Sequence, residues 1–111
     1  MSDPILDEIK KVIHENKVTL FMKGTPAMPR CGFSAGVVEV LQKHNVPFAA
    51  VDILPDPRYR QVLSAYSSWP TIPQLFIGGK LVGGCDIVRE MDSKGELKPL
   101  LDAALKGQAA G

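Results

Sequence analysis

The run Cys31-Gly32-Phe33-Ser34 contains the residue best suited to chemistry in this sequence. A cysteine reacts as its thiolate, and the unpaired N–H groups and dipole of a helix N-terminus stabilise that anion. Cys31 follows a loop rich in proline and glycine and precedes residues with helical spacing. Lys23 and Arg30 add positive charge nearby along the chain. We therefore predict that Cys31 is a reactive thiolate rather than a small buried apolar residue.

Ser34 stands where a disulfide reductase of the Cys-x-x-Cys type carries its second thiol. A hydroxyl cannot resolve a mixed disulfide, so exchange at Cys31 must end with an external thiol or with Cys85, the other cysteine. Ser34 can equally be a residue at a helix start that bonds a backbone group, and both roles stay open. Whether the two cysteines pair also stays open, because pairing depends on their separation in the fold.

The composition is that of an ordinary globular chain: 111 residues, 45% hydrophobic and 23% charged. The formal net charge of +1 argues against a nucleic-acid partner. There is no apolar run near the length of a membrane span, and the polar, acidic N-terminus is unlike a signal peptide. We expect one domain over residues 1–111, ordered from about 3 to 106 with a short C-terminal tail, in the cytoplasm and without a membrane partner.

Five helices are predicted from caps and apolar spacing. Asp3-Pro4 and Asp56-Pro57 each predict a helix start, because aspartate caps a helix and proline suits its first position. Apolar residues at helical spacing predict another helix from Phe33 to about His44. A fourth helix is expected from a cap at Asp86 to about Lys94, and a fifth, after Gly95, to about Lys106.

Four short apolar runs predict strands, and Gly78-Gly79 predicts a hairpin turn between the last two. The element order is α-β-α-β-α-β-β-α-α, which argues for an α/β fold whose mixed sheet has helices on both faces. The predicted strands cover residues 18–22, 48–53, 74–77 and 80–82.

The stretch Trp69-Pro70-Thr71-Ile72-Pro73 predicts a rigid, non-helical corner just before the third strand. Pro73 is a candidate for a cis peptide bond, although the base rate for X–Pro bonds favours trans.

Four sequence blocks, in order and at matching spacing, resemble the monothiol glutaredoxins of the Cys-Gly-Phe-Ser class. The resemblance covers essentially the whole chain and implies a thioredoxin-like fold, a four-stranded mixed sheet flanked by helices on both faces. It also implies that Pro73 is a cis proline facing Cys31. The blocks are Lys23-Gly24-Thr25-Pro26, Pro29-x-Cys31-Gly32-Phe33-Ser34, Trp69-Pro70-Thr71-Ile72-Pro73-Gln74-Leu75-Phe76 and Gly83-Gly84-Cys85-Asp86.

The same resemblance implies a glutathione groove beside the active cysteine. In the family pattern Lys23 and Arg60 hold the glycyl carboxylate, and backbone groups of Ile72 pair with the glutathione cysteine. The turn at Cys85 and Asp86 receives the γ-glutamyl end. These assignments agree with physical chemistry, because glutathione is a small dianionic peptide and basic side chains and helix N-termini bind anions.

The resemblance further implies a homodimer around a [2Fe–2S] cluster, with a role in storing the cluster and transferring it to apo-proteins. Four thiolates usually hold such a cluster. Cys31 from each chain supplies two, and two glutathione thiols complete the set. A set made of Cys31 and Cys85 from both chains is less favoured, since the resemblance places Cys85 at the glutathione turn. A BolA-like protein that replaces one subunit, and iron–sulfur client proteins, are the implied partners.

Two other functions compete with cluster binding. Cys31 alone could reduce glutathione mixed disulfides, but the loop from Lys23 to Cys31 is longer than in dithiol relatives, and the resemblance implies that this disfavours turnover. We expect weak or absent oxidoreductase activity. A zinc site from Cys31, Cys85, His14 and His44 is improbable, because the ligand spacing is wrong and both histidines are predicted to be ordinary surface residues of helices.

Overall fold

The computed structural model describes the backbone of residues 3–110 and the side chains of residues 3–106. Within this range the chain forms five helices and four strands, in the order expected from the sequence. The helices are α1 (Pro4–Glu15), α2 (Gly32–Lys43), α3 (Pro57–Ser67), α4 (Cys85–Ser93) and α5 (Leu97–Ala110), and the strands are β1 (Val18–Met22), β2 (Ala49–Asp52), β3 (Gln74–Ile77) and β4 (Lys80–Gly83). None of the described helices is long and apolar enough to cross a membrane.

The two Asp-Pro pairs begin helices for the predicted reason. The carboxylate of Asp3 accepts a hydrogen bond from the backbone N–H of Ile5 at 2.9 Å, and that of Asp56 accepts one from Arg58 at 3.0 Å. Each cap satisfies a backbone donor that has no partner within its own helix. The sequence therefore fixes these two helix starts locally.

Three boundaries differ from the prediction. The second strand is shorter than residues 48–53. Gly84, not Asp86, is the N-cap of α4, and Asp86 lies in the first turn, where its negative charge still favours the helix dipole. Helix α5 continues to Ala110 instead of ending near Lys106, since alanine and glutamine are good helix formers.

The four strands form one mixed sheet in the order β2-β1-β3-β4. Strand β1 runs parallel to β2 and antiparallel to β3, and β3 and β4 form the predicted hairpin. This arrangement confirms the α/β, thioredoxin-like architecture expected from the sequence.

Helices cover both faces of the sheet, and successive side chains of β1 pack alternately against the helices of one face and of the other. Leu20 and Met22 belong to a core shared with α2, α4 and α5, whereas Phe21 belongs to a second core shared with α1 and α3. Successive side chains of a strand point to opposite faces, so a strand buried on both sides must be apolar throughout. All five residues of β1 are buried, as predicted.

The topology brings three chain segments to one end of the sheet. Phe21, near the end of β1, pairs with Gln74 at the start of β3, and Leu75 pairs with Gly83 at the end of β4. The segments that follow β1, precede β3 and follow β4 therefore lie together. They carry the residues that the sequence singled out.

Candidate functional site

A groove of about 460 Å³ opens at this end of the sheet. It is lined by all the site residues predicted from the sequence, although they come from four separate stretches of the chain. Those residues are Lys23, Cys31, Arg60, Ile72, Cys85 and Asp86.

Cys31 is the N-cap residue of α2 and is half-buried at the groove. The backbone N–H of Ser34 is the main cause of a lowered pKa of the Cys31 thiol; partial burial opposes it, and the N–H of Phe33 and the charge of Lys23 assist it. The thiol makes no regular cap hydrogen bond, so the N–H groups act on the sulfur through their dipoles. The pKa shift supports the predicted thiolate.

Ser34 joins the helix to the sheet. Its side chain is fully buried, and its Oγ accepts a hydrogen bond from the backbone N–H of Lys23 at 3.1 Å. This is the second of the two roles considered for Ser34, with a partner outside its own helix. The hydroxyl thereby holds the end of β1 against the first turn of α2, where Cys31 begins the helix.

The loop between Lys23 and Cys31 is tied down by backbone contacts. The Arg30 N–H donates to the carbonyl of Lys23 at 2.8 Å, and the Gly24 N–H donates to a carboxylate oxygen of Asp52 at 3.0 Å. Gly24 has φ +89° and is packed so closely that a side chain there would clash with backbone atoms. Of the two cations predicted near Cys31, Lys23 lines the groove, whereas Arg30 is exposed outside its lining.

The corner before β3 forms another wall of the groove. The peptide bond between Ile72 and Pro73 is cis, as the resemblance implied, and both residues line the groove with Cys31. The buried amide of Gln74 donates to the carbonyls of Trp69 and Thr71, at 3.0 and 3.2 Å. These bonds fix the corner that presents the backbone of Ile72.

Cys85 begins α4 in a different environment from Cys31. Its side chain is 5% exposed, and burial raises the pKa of its thiol, while the charge of Arg89 opposes that rise. Both cysteines are free thiols. Cys85 is thus a buried neutral thiol in the groove wall, and the next residue, Asp86, is exposed at the same helix start.

Arg60 lies on the exposed face of α3, with its guanidinium 3.4 Å from the carbonyl oxygen of Pro70. It lines the groove together with Lys23. The groove therefore has two cationic side chains and, at α4, a helix N-terminus, which are two distinct features able to bind anionic groups.

A glutaredoxin sequence profile matches residues 18–82, more than half of the chain. The chain belongs to the glutaredoxin family. Its relatives include "Glutaredoxin 4" of Pasteurella multocida, 56% identical over 102 residues that cover 91% of this chain and 94% of the relative. "Monothiol glutaredoxin-S11" of Oryza sativa subsp. japonica is 54% identical over 95 residues, which cover 86% of this chain and 19% of that protein. The solution structure of reduced poplar apo GrxS14 superposes with a TM-score of 0.80 at 48% identity, covering 89% of this chain and 91% of that one.

The monothiol character of this glutaredoxin agrees with its site, where Ser34 and not a second cysteine follows Cys31 in the helix. The groove also contains residues that sequence reasoning did not single out as lining: Phe33, Trp69, Gly84 and Ile87. Gly84 is closely packed, because a Cβ there would lie 3.3 Å from the carbonyl oxygen of Pro73, a tighter contact than most side chains make. In the sequence, the pair Gly83-Gly84 before Cys85 was the only signal that the backbone is closely packed here.

His44 was wrongly predicted to be an ordinary surface residue of this glutaredoxin. Its side chain is only 17% exposed, and its Nε2 lies 2.6 Å from a carboxylate oxygen of Asp92. It follows the last residue of α2, roughly 20 Å along the helix from Cys31 at 1.5 Å per residue. His14 is exposed on α1. Neither histidine lines the groove, and residues 3–106 contain no cluster of three or more side chains suited to a metal ion.

Proposed function

We propose that this glutaredoxin binds glutathione in the groove beside Cys31 and shares a [2Fe–2S] cluster with a second copy of itself, storing the cluster and delivering it to apo-proteins. One observation carries the proposal: each chain offers a single accessible thiol of lowered pKa, next to a groove whose two cationic side chains complement a small anionic peptide. Cluster and glutathione are the cargo and ligand of the site.

The groove has a suitable group for each part of glutathione. The glycyl carboxylate is placed at Lys23 and Arg60, and the N-terminus of α4, at Cys85 and Asp86, receives the γ-glutamyl carboxylate. Ile72 lies in the corner two residues before β3, where its backbone groups can pair with the peptide as an added strand does. In this pose the glutathione thiol comes beside Cys31.

The ligand count favours a shared cluster. A [2Fe–2S] cluster takes four thiolates, and the described part of one chain holds no metal-binding cluster of its own. Cys85 is buried and its pKa is raised, both of which disfavour it as a ligand. Cys31 from two copies and two glutathione thiols satisfy the count without moving a buried residue.

Apolar side chains around the mouth of the groove support the homodimer. Phe33 and Ile87 line the groove and are 59% and 36% exposed, and Met28, in the loop three residues before Cys31, is 61% exposed. Large exposed apolar side chains grouped at one place are typical of a protein-binding surface. A second copy bound across the cluster would cover them.

A BolA-like protein in place of one subunit, iron–sulfur client proteins and a cytoplasmic location complete the proposal. The two free thiols are what a reducing compartment maintains. Glutathione-dependent reduction through Cys31 alone is the second candidate function, favoured by the lowered pKa of that thiol. Because Ser34 cannot resolve a mixed disulfide, an external thiol must complete each cycle. We expect slow turnover, since the loop from Lys23 to Cys31 is longer than in dithiol relatives.

Anaerobic reconstitution with iron, sulfide and glutathione tests the proposal. The wild-type protein and a Cys85→Ser variant should both give a coloured dimer, whereas Cys31→Ser should stay a colourless monomer. Loss of colour in Cys85→Ser would favour the four-cysteine ligand set. A colourless wild-type monomer with fast turnover of a glutathione mixed disulfide would replace the proposal with the enzymatic function.

A further inference from the structure

A second cavity, of about 650 Å³, adjoins the groove, and the proposed function leaves it unused. Lys23 and Arg60 line both cavities. The two cavities therefore meet at the pair of cations to which the glycyl carboxylate of glutathione is assigned. A ligand that continued beyond glycine would enter the second cavity.

The second cavity is built mainly from one face of α3. Pro57, Arg60, Gln61 and Ser64 follow one another at helical spacing and all contribute to its wall. The opposite wall is apolar and consists of Ile53, Leu54 and Pro70. The cavity thus combines apolar walls with two neutral polar side chains, those of Gln61 and Ser64.

Ser64 adds a polar atom with no partner inside the protein. Its Oγ is buried and makes no hydrogen bond to any described residue. Gln61, one turn earlier and exposed, offers both a donor and an acceptor. Gln61 therefore suits the amide bond of a peptide, whereas the Ser64 Oγ has no accessible surface at which a ligand could bind.

Resting on the proposed function, we infer that the second cavity binds a residue attached to the glycine of glutathione, so that the protein accepts thiol peptides of the form γ-Glu-Cys-Gly-Xaa in which Xaa is apolar. One added residue moves the terminal carboxylate by about 3.5 Å. Since Lys23 and Arg60 border both cavities, the displaced carboxylate stays near the same two cations. The apolar side chain packs against Ile53, Leu54 and Pro70, and the thiol keeps its place beside Cys31.

Calorimetric titration of the reduced protein with glutathione and with γ-Glu-Cys-Gly-Leu tests this inference. Partial burial of a leucine side chain should make the tetrapeptide bind about fivefold tighter than glutathione. In a Gln61→Trp variant the indole fills the second cavity, and the tetrapeptide should lose about tenfold in affinity while glutathione changes less than about twofold. Ala65→Trp, an exposed position on the same helix outside the cavity lining, is the matched control and should change neither.

Weaker binding of the tetrapeptide than of glutathione would overturn the inference and leave the proposed function intact. So would a Gln61→Trp variant that weakened both ligands equally or neither. If the wild-type protein bound neither ligand, the proposed glutathione groove and this inference would fall together.

Discussion

Cys31 and Cys85 line the same groove with opposite chemistry, and the cause lies in their immediate surroundings. Cys31 caps α2, where nearby N–H groups lower the pKa of its thiol, with the Ser34 N–H first. Cys85 is the first residue inside α4 and is packed into the core, where burial raises the pKa of its thiol. Both thiols lie at a helix start, so burial is what separates the structural thiol of Cys85 from the reactive thiol of Cys31.

Alkylation rates should show this difference. We expect iodoacetamide to modify Cys31 with an apparent pKa below that of an ordinary cysteine, because only the thiolate reacts. Cys85 should react more slowly at every pH and with an apparent pKa above the ordinary value. Rates measured from pH 5 to 10 on the single-cysteine variants Cys85→Ser and Cys31→Ser check both values. Equal rates in the two variants would contradict the account.

At the scale of elements, helices α2 and α4 are joined at both ends. Their first turns line the groove, and near their last turns Asp92 of α4 accepts hydrogen bonds from Lys43 and His44. These two partners, with Lys43 first, lower the pKa of the Asp92 carboxyl. The contact is largely shielded from water on the aspartate side, whose side chain is 12% exposed.

Asp92→Asn should destabilise the fold by about 1 kcal/mol near neutral pH, because it removes a charge-assisted contact of which Lys43 is largely exposed. Because the pKa of Asp92 is lower in the folded than in the unfolded protein, its carboxylate stabilises the fold above the unfolded pKa of about 3.9. That stabilisation is lost as the pH falls through the folded-state pKa. The difference between wild type and variant should therefore narrow as pH falls below about 4 and close only below the folded-state pKa of Asp92.

Urea unfolding at pH 7 and at pH 3 measures that difference. Asp102→Asn is the control, since the ion pair of Asp102 with Lys98 is exposed on both sides and should contribute less than about 0.5 kcal/mol. A gap for Asp92→Asn that persisted unchanged at pH 3 would refute the assigned role.

The crossing of α2 and α4 depends on a glycine. A Cβ at Gly36 would lie 2.6 Å from a guanidinium nitrogen of Arg89 and 2.9 Å from the sulfur of Cys85. Gly36→Ala should therefore destabilise the protein by about 1–3 kcal/mol, since the helices must separate or Arg89 must move. Gly32→Ala, in the same helix with open space around its Cβ position, should be neutral or slightly stabilising. Thermal unfolding of the two variants compares them, and equal midpoints would contradict the packing argument.

At the scale of the whole molecule, the proposed dimer predicts different consequences for two exposed apolar residues. Met28→Ser should weaken the cluster-bound dimer by about fivefold, because Met28 is exposed in the loop three residues before the cysteine that the two copies share. Leu100→Ser removes a side chain that is 42% exposed on α5, which does not line the groove, and should have no effect. Sedimentation of the reconstituted protein over a range of concentrations gives both dissociation constants.

The two variants should bind glutathione alike, since neither residue lines the groove. Equal dimer strength would argue against this surface.

The sequence predicts those features of this molecule that depend on contacts between residues close together in the chain. The caps at Asp3 and Asp56 and the position of Cys31 depend on neighbours within a few residues, and all three predictions are confirmed. Gly84, not Asp86, is the cap of α4, and it lies close to Pro73, a proximity that exists only in the folded chain.

Long-range pairing also decides the features that sequence reasoning missed. His44 and Asp92 are 48 positions apart and meet only because α2 packs on α4. No local pattern around His44 reports that contact. The second cavity is likewise invisible in the sequence, since β2, α3 and the loop after β1 must all be in place before it forms.

Native mass spectrometry of the reconstituted protein tests the central claim, that Cys31 is half of a ligand set shared between two chains. We expect a species containing two chains, one [2Fe–2S] cluster and two glutathione molecules, present in wild type and Cys85→Ser and absent in Cys31→Ser. A cluster-bound single chain, or a cluster-bound dimer without glutathione, would contradict it.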